Sequence, residues 1–539
     1  SGKSRLRYEF RRWVERRGEA IQMMQGRADA ATWHAPYSLL HDLFGNACGI
    51  QESDPAAEVR RKLETGLSPY LEAERADLVG QLIGFNLADS PAVRAFGQST
   101  AWAPLAEVYL AQYFRQASRV RPMLLLLEDL HWADQASLDF LLGLPKQMPT
   151  GALMLLGLGR TELLERLSED CCEKINLGQL DSTDSQHLLE TLIPQADRLP
   201  EAFKAMVIGH ANGNPYYLQE IVQMLLDEGL LSLEGGAVMS GQADWDNLHL
   251  PPTLQGVLQA RLDSLSAVEK QFLQRAAVLG EQFWDEALTQ LHTEQDAIAD
   301  IEQPIHNLEK RQLIYPVEVS AFDGLAEYIF KHALLRQAAY DTLLLKLRRV
   351  YHRQAAQWLL ERCGDRMPEY LGKIGDHFER AGENEQAALF YQQQARDAYA
   401  RSAFQDALPT LERAIRLTRP ENEPQLAQLH LQMSNNLEKL GEYDAAIEHL
   451  NTCLGLARGT GSTGVEAEAL CIMAWIMGIR GQDAEVEPYS RKALELAEQA
   501  GDMRIMVRAL TQVAGLYEAS EPTKALGIYE QALVIARQS

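Results

Sequence analysis

Apolar residues along this chain fall into two regimes. In the first third they include short unbroken runs, Met123 to Leu127 and Ala152 to Leu158, with the length and flanks of buried strands. Ala20 to Gly26 and Lys174 to Leu177 are further strand candidates, and helical spacing between them completes a βαβ-type pattern. Beyond position 350 such runs vanish. Apolar positions there recur at helical spacing and break at glycine or short polar turns roughly every 20 residues.

The middle of the chain mixes the two. From Pro251 the pattern predicts helices over Thr253–Leu262, Ala267–Leu279 and Ile301–Lys310. Strands follow at Gln312–Val319 and Leu325–Phe330, turned by Phe322-Asp323-Gly324. Helices followed by a hairpin predict a winged helix. In the tail, the stretch from Gly441 to Ala457 aligns with Gly481 to Ala497, and again with Ser520 to Ala536 and Ser402 to Thr418, a period of about 40 residues. Gly382-Glu383-Asn384 starts a similar helix half a repeat earlier. Tetratricopeptide-like helical hairpins are expected, each covering its neighbour's apolar face and leaving a concave surface for a partner.

Charge narrows the function. Asp and Glu number 75 against 51 Lys and Arg, a net charge of −24, which repels phosphate backbones at long range. Direct nucleic-acid binding is not expected, and the winged helix has no basic stripe beyond Lys310 and Arg311, so intramolecular docking is its expected role. No apolar run approaches the roughly 18 residues of a membrane span. Six cysteines without paired spacing predict a reducing, cytoplasmic home.

Candidate chemistry lies at the ends of the predicted strands. Gly2-Lys3-Ser4 followed by a helix with Leu6, Phe10, Trp13 and Val14 on one face is the last third of a phosphate-binding P-loop. There the lysine reaches terminal phosphate oxygens and the hydroxyl meets Mg²⁺. Arg121 to Asp129 has the Walker B pattern, a buried strand ending in Glu128 and Asp129. One acid would hold the metal and the other the attacking water; Glu128 is assigned the metal side and Asp129 the water side, with the reverse order open. Arg160, just after the third strand, is the candidate reader of a γ-phosphate, because guanidinium forks onto phosphate oxygens.

Leu127-Glu128-Asp129-Leu130-His131-Trp132-Ala133-Asp134 with Ser137-Leu138 closely resembles the signature of STAND-type signalling ATPases. It is most similar to the AAA-type, origin-recognition-like module found beside class III adenylyl or guanylyl cyclase domains, beside some kinases, and in large LuxR-type regulators. The likeness extends from Gly2 to about position 420. It implies ATP/ADP and Mg²⁺ as cofactors, with Gly2, Lys3, Ser4, Glu128, Asp129 and Arg160 at the phosphates. His131 and Trp132 are expected to pack rather than act. Pro215, in Gly213-Asn214-Pro215, falls where the family rests a proline on adenine, though the residues alone also read as an ordinary helix start. His332, in Phe330 to Tyr340, falls where relatives keep a histidine that senses the β-phosphate of ADP.

The expected architecture is therefore an α/β P-loop sheet domain over 1–178, a helical lid over 179–250, a winged helix over 251–345 and an α-solenoid over 346–539. The expected function is a slow, nucleotide-switched ATPase that controls an output domain such as a cyclase, takes a protein partner on its repeats and self-associates when activated. A scaffold with a static nucleotide and a LuxR-type transcription regulator are the alternatives. The abrupt start at Ser1 and the tail without a stop signal predict a piece of a longer protein. With the first loop glycine and the strand before it outside the chain, weak ATP binding is expected of residues 1–539 alone.

Overall fold

The computed structural model describes residues 2–29, 32–33, 35–51, 54–96, 101–148, 151–167, 172–194, 196, 199–232, 238–239, 250–292, 301–317, 320, 322 and 324–538. Three parallel strands form the N-terminal sheet in the order β1 (Gln22–Arg27), β2 (Met123–Glu128), β3 (Leu153–Gly157). Register aligns Arg27 with Glu128 and Leu127 with Gly157, so the polar ends of the strands meet at one edge. The central strand is the most apolar of the three, with Met123 to Leu127 all buried, as a strand covered on both faces requires.

The helix Lys3–Arg16 lies against one face through Val14, which clusters with Leu124 and Leu126. Its expected apolar stripe is only partly used: Leu6 and Trp13 are each about half exposed. Trp13 instead stacks on Phe10 and lies under the Arg17 guanidinium. The opposite face packs against Ser38–Cys48 and Trp102–Val120 around Leu39, Leu43, Phe44 and Phe114.

One expected strand does not form. Lys174 to Leu177 is irregular and exposed, with Ile175 at 76%. A strand needs a ladder partner, and among the described residues the outer edge of β3 pairs with none.

A helical segment follows, with Ser182–Leu192, Glu201–Ala211 and Pro215–Asp227 around Val207, Leu218 and Ile221, and a short ribbon of β4 (Leu231–Ser232) and β5 (Val238–Met239). The winged-helix pattern is present, with helices Leu254–Asp263, Ala267–Leu279 and Glu302–Lys310 against an antiparallel sheet. That sheet is ordered β6 (Gln282–Trp284), β8 (Glu327–Phe330), β7 (Ile314–Pro316). Strand β6 was not expected, because three residues are too few to show an alternating pattern. Val319 and the turn residue Asp323 lie outside the described residues. Ser266 and Glu269 form a reciprocal capping box that fixes the start of the second helix.

From Met367 onward, antiparallel helix pairs stack to Ala536. The period seen in the sequence has two causes. Gly441 and Gly481 adopt left-handed φ of 79° and 69° at helix ends, a conformation glycine takes without a side-chain clash. Fully buried alanines such as Ala407, Ala446, Ala467 and Ala493 let the helices approach closely. The core of the stack is continuous with the winged helix, since Trp358 stacks on Trp284 at 5.4 Å.

Candidate functional site

Walker-type acids need a strand that ends abruptly at a crevice, and the backbone supplies it. Asp129, directly after β2, takes a left-handed φ of 52°, and the chain turns through Leu130–Trp132. Leu158 N–H donates to the Leu127 carbonyl and Leu130 N–H to the Leu158 carbonyl. The two strand ends are thereby locked together, with Arg160 two residues beyond.

Lys3 and Ser4 occupy the first turn of their helix, capped by Gly2 at φ 75°, so free N–H groups and the positive helix end accompany the lysine. A β-carbon on Gly2 would sit 4.0 Å from Pro215 Cγ, which puts the lid proline against Gly2-Lys3-Ser4. Pro215 opens its helix as expected, with the Asn214 side chain accepting from Tyr216 N–H and Tyr217 N–H at 3.1 and 3.3 Å. His332 stacks on Tyr216 at 4.0 Å and 16°. Its Nδ1 accepts from Leu334 N–H at 3.1 Å, so in the neutral ring the proton sits on Nε2, the nitrogen left to donate. Burial pushes His332 down to about 4, and it feels the charges of Arg160 and Asp129. Gly2-Lys3-Ser4, the acids, Arg160, the lid proline and the winged-helix histidine thus share one neighbourhood.

Two arginines that the sequence reading passed over hold the acids. Arg7, one turn into the first helix, pairs with Glu128. Arg27, at the end of β1, donates from Nε to Asp129 at 2.8 Å and from Nη2 to Glu281 of the winged helix at 2.5 Å. Burial opposes the Arg27 charge, but Glu281 and Asp129 outweigh it and its pKa is raised. Burial raises Glu128 against the pull of Arg7 and Arg27. The signal for Arg27 was its register opposite Glu128, which is visible only once the strands are paired.

His131 packs beside Trp132, ring centroids 5.1 Å apart. Among the described residues both its ring nitrogens are buried and lack a hydrogen-bond partner. Burial and Arg160 depress its pKa, while Asp129, Glu162 and Lys3 also act on it. A buried polar group without a partner costs about 1–3 kcal/mol, and this one lies among the charges of Arg160, Asp129, Glu162 and Lys3.

Behind the site is a buried ionic network. Glu220 of the lid helix is fully buried and pairs with Arg261 and, at 3.1 Å, with Lys331. Arg261 also reaches Asp227 at 2.9 Å and the Arg311 carbonyl at 2.6 Å. Lid and winged helix are joined beside His332.

Mg²⁺ keeps several waters and takes one or two carboxylates plus phosphate oxygens. Among the described residues no group of three or more His, Cys, Asp or Glu could hold a metal alone. The donor set of Ser4, Glu128 and Asp129 fits a metal that the phosphates help to coordinate, and the unpartnered His131 nitrogens fit a polar guest.

A parallel sheet with a P-loop helix and acids at the strand edge is the architecture of a P-loop ATPase domain, and residues 1–158 match the family model described as AAA ATPase domain. An uncharacterized protein of Rhizobium meliloti (strain 1021) is 24% identical over 437 residues, 79% of this chain and 40% of its own length. The chain therefore spans less than half of that relative. Among solved structures, the Signal Transduction ATPase with Numerous Domains (STAND) protein with a tetratricopeptide repeat sensor from Pyrococcus horikoshii aligns over 96% of this chain and 75% of its own. It is 12% identical, with a TM-score of 0.37. Aspartyl phosphate phosphatase F from Bacillus subtilis aligns over 68% of this chain and 77% of its own, at 11% identity and a TM-score of 0.29. No helix among the described residues is long and apolar enough to cross a membrane.

Proposed function

We propose that the chain is the switch portion of a STAND-type signalling ATPase, in which ATP and ADP compete for one site bordered by sheet, lid and winged helix. The observation that carries this reading is the Asp129–Arg27–Glu281 bridge, which ties a Walker acid to the winged helix through one side chain. Whatever draws Asp129 away acts on the winged helix at once.

In this reading Lys3 and the N–H groups of the first turn hold the β- and γ-phosphates, Arg160 forks onto the γ-phosphate, and Pro215 supports the adenine. His332 donates its Nε2–H to the β-phosphate of ADP, which favours the docked winged helix. Ser4, Glu128 and Asp129 would hold Mg²⁺, which neutralises charge on the phosphates when bound. Glu128 keeps the metal side and Asp129 orients the attacking water. Loss of Glu281 as the winged helix leaves frees one arm of Arg27 to turn toward phosphate. Catalysis of this kind is mostly positioning and charge stabilisation, and slow turnover suits a switch. A preference of about 5.5 kcal/mol between nucleotides turns a 1:99 population into 99:1. The repeats are the surface for a protein partner, and the output, such as an attached nucleotide cyclase, together with self-association on activation, follows from winged-helix release.

The test is displacement of a fluorescent ADP analogue from the chain and from Lys3→Ala. Weak but specific, Mg²⁺-dependent binding at high protein concentration that Lys3→Ala reduces at least tenfold supports the reading. Binding that Lys3→Ala leaves unchanged rejects it.

A further inference from the structure

Leu345, Arg349 and Arg353 recur every fourth position on the helix Leu345–Cys363 and so share one stripe. The stripe faces the corner where Met367–Ala381 ends and Asn384–Ala400 begins. With Arg380 it lines an open cleft of about 590 Å³, within the size range of small-ligand sites. Three guanidiniums converge here in a chain whose net charge is −24.

The local acids neutralise only one of them. Glu383 is taken by Arg353. Glu379 turns away to Arg413 and Tyr391, at 2.6 and 2.9 Å. Among the described residues Arg349 and Arg380 have neither a hydrogen-bond nor an ion-pair partner. Like charges held together without a counter-charge repel. The positive field reaches inward too: burial lowers His352, His377 and Arg336, and Arg380 lowers each of them further. Around the corner, Gly382 adopts φ 84°, and a β-carbon there would lie 3.8 Å from Arg349 Nε. The N–H groups of the following first helical turn are thus brought to the same rim.

We propose that this cleft, at the neck between winged helix and repeats, binds a small phosphate monoester. Arg349 and Arg380 fork onto the phosphate oxygens, a geometry suited to guanidinium. Arg353 closes the rim, and Leu345 and Val350 contact the organic part. The inference is independent of the nucleotide site. It gives the neck an input of its own, because a bound dianion offsets the field on His352 and His377. Those two rings are joined at 2.9 Å, and His352 meets Tyr340 of the winged-helix segment at 2.8 Å.

The experiment is calorimetric titration of the full chain carrying Lys3→Ala, so that the P-loop lysine cannot be the acceptor, with inorganic phosphate, phenyl phosphate and acetate. One saturable site is expected, tighter for phenyl phosphate than for inorganic phosphate and absent for acetate. Adding Arg349→Gln and Arg380→Gln should weaken it at least tenfold; both side chains are exposed, and an unchanged circular-dichroism melt confirms the fold. No saturation below about 10 mM, a range weaker than ordinary specific affinities, overturns the site, and so does equal binding with and without the arginines. Equal affinity for inorganic and phenyl phosphate overturns the assignment to an ester.

Discussion

Asp406→Asn should abolish a pH dependence built into the contact between sheet domain and repeats. Asp134 is fully buried and accepts from Tyr37 N–H, Leu39 N–H, the Ser38 hydroxyl and Ser137 N–H, at 2.7 to 3.2 Å. Asp406, from the repeat helix Phe404–Leu417, accepts from Gln135 N–H at 2.9 Å and Ala136 N–H at 3.1 Å. It caps, from another part of the chain, the helix that follows the Walker acids. Two buried carboxylates this close cannot both ionise cheaply. Asp134 has four donors and Asp406 two, so the proton belongs to Asp406, whose pKa burial and Asp134 push up to about 7. The folded value exceeds the ordinary carboxylate value of 3.8. The docked state thus holds the proton more tightly, its stabilisation is complete below about pH 4, and it is lost as pH rises through 7. A shift of about three units corresponds to at most about 4 kcal/mol. Amide hydrogen exchange at Gln135 and Ala136, corrected for intrinsic base catalysis, reads this contact locally. Protection should fall between pH 5 and 8 in the wild-type chain and stay flat in Asp406→Asn. Parallel profiles in the two proteins would refute the assignment of the proton.

The other predictions concern the site and its supports. Arg27→Ala or Glu281→Gln should speed release of a fluorescent ADP analogue by no more than about fivefold, since partly exposed pairs contribute about 1 kcal/mol at most; an unchanged off-rate in both variants removes the bridge from the switch. His131→Ala should weaken ATP more than ADP, by about tenfold for one charge-assisted contact worth 1.4 kcal/mol or more, and equal losses for both nucleotides would return His131 to a packing role. Glu220→Ala should destabilise the lid and winged helix by about 3–5 kcal/mol, because Arg261 and Lys331 are left buried and uncompensated; a melting profile matching wild type would contradict this.

Legibility in the sequence followed the range of the forces involved. The strands Met123–Glu128 and Leu153–Gly157 and the repeat helices were readable because period and burial are local properties. The positions of Glu128, Asp129, Lys3 and Arg160 at strand ends or a helix start were readable because the chain marks such points with a change of residue type. Arg7, Arg27, Glu281 and Asp406 were not, since a guanidinium or carboxylate on a helix reads as solvated until packing names its partner. Lys174–Leu177 failed for a related reason: a strand is a pair property, and four suitable residues do not specify a neighbour. The unpaired ring nitrogens of His131 were not readable either, because a missing partner is visible only in three dimensions.

The contacts that escaped the sequence reading are also those that join separate parts of the chain, and they converge on β2. Arg7 brings the P-loop helix to Glu128; Arg27 and Glu281 bring the winged helix to Asp129; Asp406 brings the repeats to the start of the helix Gln135–Gln147, just after the acids. A force on the repeats would therefore disturb the N-terminus of Gln135–Gln147, whose position is fixed by Asp134. Asp134 in turn holds the backbone from Tyr37 to Leu39 against the same sheet. The acid pair cannot shift without loading each of these bonds. Each is polar and directional, so a small displacement breaks it outright, whereas an apolar contact would only weaken gradually. Such an arrangement favours two discrete states over a continuum, which a nucleotide-controlled signal requires.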